Sequence, residues 1–200
     1  MRENWSYASS IRSYRRHDAA VRKVRVHGDV ARHGLHLTPT LERRRHVGIP
    51  VIEQVKIQAQ VLVPLVKALQ VELGEERANA LVRNALGDVY RRLGEEWWRA
   101  KESRHLGENV GSVFAAFAKG DALDYTVRAQ SQDAYEIDVT GCRYAQFYKE
   151  LGEPELGFLL ICSADFTFAE GFGADIKLTR TQTIMQGQSH CDFRFRRQKA

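Results

Sequence analysis

From Pro50 onward the apolar positions recur at steps of three and four. Ile52, Val55, Ala59, Leu62, Leu65, Val66, Leu69 and Leu73 form one stripe and predict a helix, which Pro64 should kink or split and Gly74 should stop. Ala78, Leu81, Val82, Ala85, Val89, Leu93 and Trp97 form a second stripe across residues 75–104. The acids Glu75 and Glu76 suit its first turn, and Gly87 or Gly94 is expected to interrupt it. A third helix over residues 110–119 should bury Val113, Phe114 and Phe117.

After Gly120 the period falls to two. Leu123, Tyr125 and Val127 alternate with mostly polar residues, as do Tyr135, Ile137 and Val139, with a hairpin turn over residues 130–133. A short helix over 143–151 closes at Gly152, and Pro154 starts another that runs to about residue 170. Strands over 176–185 and 191–196 then form a second hairpin around residues 186–189. This order predicts an α+β fold, with N-terminal helices packed on an antiparallel sheet built from two hairpins and helices between them. It argues against a βαβ arrangement.

Composition alters this picture in one respect. The net charge is +5, yet residues 1–46 hold eleven Lys and Arg against four Asp and Glu, a local +7 that leaves the rest slightly acidic. Residues 1–47 lack sustained periodicity and are expected to form a basic, loosely ordered arm with one short helix over 18–26, followed by a single domain over 48–200. Basicity confined to an arm argues against nucleic-acid binding by the domain. The most hydrophobic stretch, residues 51–73, is broken repeatedly by Glu, Gln and Lys, so no membrane span is expected. Three cysteines cannot close a disulfide framework, which favours a reducing cytoplasm. The long helices leave room for a homo-oligomeric interface.

All three cysteines fall in the last 60 residues. Cys142 follows the second strand, Cys162 lies in a helix and Cys191 opens the final strand, with Asp165, His190 and Asp192 nearby in sequence. A thiolate beside a base could serve as a nucleophile. The three sulfurs with His190 could instead hold a soft metal, but the absence of a closely spaced ligand pair favours a site without metal or other cofactor. Asp165 lies three positions after Cys162 and shares its helix face; Phe166 and Phe168 would raise its pKa if they enclosed it, as a general acid or base requires. Arg180 and Arg194, on the final strands, could fork onto a substrate carboxylate or pair with Asp192 or another acid. Trp97 and Trp98 read as helix packing.

Several blocks recur together: Thr140-Gly141-Cys142-Arg143-Tyr144, Tyr148-Lys149-Glu150-Leu151-Gly152, Cys162 with Asp165-Phe166, and residues 178–187 running into Cys191-Asp192-Phe193-Arg194-Phe195. With the helical stretch over 49–93, this set resembles the L-2-amino-thiazoline-4-carboxylic acid hydrolase family across residues 48–196. The resemblance implies hydrolytic opening of a cyclic isothiourea to a carbamoyl-cysteine. Cys162, Asp165, Cys142 and Cys191 are then the expected catalytic set. Arg180, Arg194 and Tyr144 are the expected contacts for a small substrate bearing a carboxylate. The hairpin with Gly187 and Cys191 also resembles vinyl-reductase-type domains, which would imply a non-catalytic module that binds a small ligand or metal.

Overall fold

The computed structural model describes residues 48–198. The expected basic arm, its short helix and the domain boundary beside it lie outside the described residues. Helix α1, Val51–Leu73, runs through Pro64 without a break. Proline removes one backbone bond, to the carbonyl of residue 60, and Gln60 is exposed, so water can replace the lost donor. The flanking Val63 and Val66 are buried and hold both sides of the helix in place. Ile52, Val55 and Ala59 complete that buried face, whereas Leu65 and Leu73 of the expected stripe are exposed.

Helix α2, Glu75–Arg99, departs further from its expected stripe. Leu81, Val89 and Leu93 are exposed, and the buried positions are Ala78, Gly87 and Gly94. Neither glycine interrupts the helix, and Gly94 lets another helix come close. A Cβ at Gly94 would lie 2.1 Å from the carbonyl oxygen of Phe168, and one at Gly171 would lie 2.2 Å from that of Arg91. Backbone therefore touches backbone where α2 meets helix α6, Ala164–Glu170. Helix α3, Leu106–Phe117, starts four residues before the expected point because the His105 Nδ1 accepts the Glu108 N–H at 3.2 Å and caps it.

Strands β1, Leu123–Gln130, β2, Ala134–Cys142, β3, Ile176–Thr179, and β4, Cys191–Arg197, form one antiparallel sheet in the order β1-β2-β4-β3. The two hairpins thus merge, with Ile137 opposite Phe193 and Val139 opposite Cys191. Strand β3 ends at Thr179 rather than at residue 185. Asp192 accepts the Thr181 and Gln182 N–H groups, each at 2.9 Å, and draws the chain out of the ladder before a 3-10 turn at Ile184–Gln186.

Helix α4, Arg143–Glu150, follows β2 directly. The helix expected over residues 154–170 is a relay: α5, Pro154–Gly157, a π turn over Phe158–Cys162, and α6. The fold is α+β, as the pattern predicts. Among the described residues no helix is long and apolar enough to cross a membrane.

Two apolar clusters make up the core. One joins α3 to the inner sheet face through Val110, Phe114, Ile137, Phe193 and Phe195. The other joins α1 to α4 and the π turn through Ile52, Val55, Tyr148 and Leu160. Where they meet they leave a hollow.

Candidate active site

That hollow encloses about 560 Å³ and takes walls from both clusters. Most of its lining is apolar, from Val51 and Val55 on α1 to Val113, Phe114 and Phe117 on α3, and Phe193 and Phe195 on β4. Into it the fold brings Cys142, Tyr144, Cys162, Asp165, Arg180 and Cys191, six of the seven residues expected from the sequence.

Asp165 lies in the first turn of α6, just past the π turn that ends at Cys162. Arg180 reaches it from the loop after β3: Nη1 donates to Asp165 Oδ2 at 2.5 Å and Nη2 to the Cys162 carbonyl at 2.9 Å. The guanidinium carbon lies 5.1 Å from the Phe166 ring centre and 5.0 Å from that of Phe193, within range of favourable cation–π contact. Only 2% of the Arg180 side chain is exposed, against 36% for Asp165. The carboxylate is deeply set, and the surface it keeps opens onto the hollow it lines. Burial pushes its pKa up to about 6, with the charge and hydrogen bond of Arg180 opposing the rise. At neutral pH it is ionised yet still basic enough to take a proton.

The thiols are in the opposite condition. Burial pushes Cys142 up to about 11 and raises Cys191; burial, reinforced by Asp165, also raises Cys162, against the opposing charge of Arg180. All three are free and protonated at neutral pH. Cys142 Sγ accepts the Ala145 N–H at 3.4 Å and Cys191 Sγ accepts the Ile184 N–H at 3.2 Å, so both also cap backbone. The Tyr144 ring lines the hollow, while its hydroxyl donates to the Phe117 carbonyl at 2.9 Å.

Arg194 is the exception. Strand alternation turns Cys191, Phe193 and Phe195 inward, and Arg194 emerges on the outer face. There its Nη2 donates to Asp138 at 2.6 Å and its Nη1 to the Ile137 carbonyl at 2.7 Å. Of its two expected roles, the pairing with an acid is the one seen, as a strut between strands, and Arg194 is not among the residues that line the hollow. Replacing Arg194 by Met should leave kcat/KM unchanged and cost about 1–2 kcal/mol of stability, readable as a lower thermal midpoint. The hydrogen bond from Arg194 holds the Asp138 carboxyl below its ordinary range, against the effect of burial. This stabilisation is present at neutral pH and is lost as pH falls through the lowered pKa, so the two midpoints should converge in acid.

The sequence reading missed Tyr90, which lines the hollow from α2; Trp97 packs against the core as expected and lines the hollow as well. Their spacing of seven with Gly94 between them places all three on one helix face, a signal that the apolar stripe obscured. Burial, with the nearby charge of Asp165, raises the Tyr90 pKa. Trp98 does pack, stacked at 5.5 Å on Phe172. His190 lies outside the lining; its ring nitrogens face Gln182 and Ser189. Among the described residues, no three His, Cys, Asp or Glu side chains are grouped so as to hold a metal ion.

An α+β shell around a largely apolar hollow, with one ion-paired carboxylate lining it, is the architecture of a small-molecule site. The family model for L-2-amino-thiazoline-4-carboxylic acid hydrolase matches residues 54–195, and the chain belongs to that family. No curated protein matches the chain. The family is named for a hydrolase, which makes an enzyme of this class the reading at family level.

Proposed function

We propose that the protein hydrolyses a ring of the 2-aminothiazoline type, opening a cyclic amidine to a carbamoyl product with Asp165 as its acid–base catalyst. The observation that carries this reading is the Asp165 carboxylate, tuned to about 6 and facing the hollow beside Arg180. The ring carbon between sulfur and nitrogen is electrophilic when the amidine is protonated, and the Asp165 carboxylate favours that cation. Water adds to this carbon as Asp165 accepts its proton. The neutral adduct breaks its carbon–sulfur bond, Asp165 returns the proton to sulfur, and the hydroxyl proton leaves to solvent as the carbamoyl carbonyl forms. Arg180 holds the carboxylate in place through both transfers, and the surrounding aromatic walls strengthen each charged contact. A reducing cytoplasm would suit the three free thiols.

The covalent route through Cys162 needs a thiolate that burial and Asp165 both oppose. Cys162→Ala should therefore keep kcat/KM within about tenfold of wild type, whereas loss of a true nucleophile costs on the order of a thousandfold or more. Ring opening of 2-amino-2-thiazolines, followed by the appearance of free thiol, tests the reaction itself. Intact-mass measurement during turnover adds a second check, since an adduct on Cys162 would overturn the water route. Absence of ring opening across a panel of such rings and related cyclic ureas would overturn the hydrolase reading.

A further inference from the structure

Helices α1 and α2 form a hairpin about Gly74, across which the Gln70 side-chain amide donates to Asn79 Oδ1 at 2.9 Å. Both arms rise by about 1.5 Å per residue, so residues equally far from Gly74 stand at one level. The lining of the hollow follows that count: Val51 matches Trp97, Val55 matches Leu93, and Gln58 matches Tyr90. Gln58 and Tyr90, each sixteen residues from Gly74, are the polar pair on this wall.

Both carry free donors. Among the described residues neither the Gln58 amide nor the Tyr90 hydroxyl donates to the protein, whereas Gln54 donates to the Ile49 carbonyl and Tyr144 to that of Phe117. Burial, then the charge of Asp165, raises the Tyr90 pKa, so its hydroxyl stays protonated at neutral pH as a donor. The Trp97 indole N–H also lacks a partner among the described residues, but it is buried and stands two turns further along α2.

The cation of the hollow is already engaged. Arg180, the single basic residue of the lining among the described residues, is 2% exposed and donates to Asp165 and the Cys162 carbonyl. An anionic group on a ligand is therefore left to neutral donors, whose hydrogen bonds to a charged acceptor are the stronger kind.

Accepting the hydrolase reading above, we infer that Tyr90, with Gln58 facing it across the hairpin, receives the substrate carboxylate and sets specificity for it. The amidine nitrogens face Asp165, and the carboxylate accepts from the Tyr90 O–H and the Gln58 amide. The two ends of a dipolar substrate thus meet different walls, which fixes the ring carbon beside Asp165.

The test is calorimetric titration of the full chain with 2-aminothiazole-4-carboxylate and 2-aminothiazole, aromatic analogues that resist ring opening and differ only in the carboxylate. Wild type should prefer the carboxylate compound. Tyr90→Phe should weaken that compound about tenfold and leave 2-aminothiazole within about twofold. Gln58→Leu, at a more exposed position, should weaken it about threefold with the same selectivity. Thermal melts recorded alongside confirm that both variants are folded. Wild type without a carboxylate preference overturns the inference, as does an unchanged preference in Tyr90→Phe. Equal losses for both compounds would assign the hydroxyl to the ring or to packing, and overturn it too. Because binding is read without turnover, the two readings fail separately. A carboxylate preference that depends on Tyr90, with no thiazoline opened, upholds the subsite and sinks the hydrolase. Ring opening whose selectivity is unchanged in Tyr90→Phe does the reverse.

Discussion

Asp165→Asn is expected to lower kcat/KM for ring opening by about a thousandfold at pH 7, the range over which a positioned general base acts. The amide keeps the shape of the side chain but cannot take a proton from water. The pH profile supplies a reading that a merely structural residue would not move. With a pKa of about 6, raised chiefly by burial, Asp165 is protonated and inactive as a base in acid. Wild-type kcat/KM should therefore fall about tenfold per pH unit below 6 and level off above it. The residual rate of Asp165→Asn should lack that limb, and a retained limb near pH 6 would assign the base to another group. The substitution also leaves the enclosed Arg180 guanidinium without its anion. A stability loss of about 2 kcal/mol, or roughly 4–8 °C in thermal midpoint, should accompany it, so rates belong well below the melt.

The second large effect concerns folding. Gly94→Ala is expected to cost about 3 kcal/mol or more, above the usual range for overpacking. The added methyl would sit 2.1 Å from the Phe168 carbonyl oxygen and 3.1 Å from its carbon. Both atoms are backbone, so no rotamer change relieves the clash, and α2 and α6 must separate. Gly171 offers no slack, because the Arg91 carbonyl and the Glu95 N–H crowd it from the other side. Denaturant unfolding measures the loss directly. Since α6 carries Asp165 and α2 carries Tyr90 and Trp97, the folded remainder should also lose activity. Wild-type stability in Gly94→Ala would mean that the two helices do not meet through these glycines. Gly74→Ala is the comparison for glycine loss without a clash, since nothing lies within 4 Å of a Cβ there, although its φ of +80° strains any side chain.

Much of the fold was legible in the chain. The change of apolar period near Gly120 located the boundary between helices and strands, and the alternation in β2 and β4 marked the residues that face the core. Cys162 and Asp165 were placed together by a spacing of three, and both line the hollow. The pairing of Arg194 with an acid, one of its two expected roles, also follows from the alternation: inward Cys191, Phe193 and Phe195 require the residues between them to face outward. Other features were not legible. The α2 stripe through Leu81, Val89 and Leu93 suggested a buried face, yet those residues are exposed and the glycines make the contact. The extension of β3 to residue 185 failed because the Asp192 side chain takes backbone donors a ladder would have used.

By itself the sequence determined the α+β order, the helix and strand periods and a short list of chemically able side chains, because periodicity and propensity act over a few residues. Only the tertiary structure decided which of those side chains share a hollow, that Arg180 belongs to Asp165 fifteen residues away, and that the cysteines stay protonated. Pairing and desolvation depend on what the rest of the chain places around a group, and no local pattern carries that information.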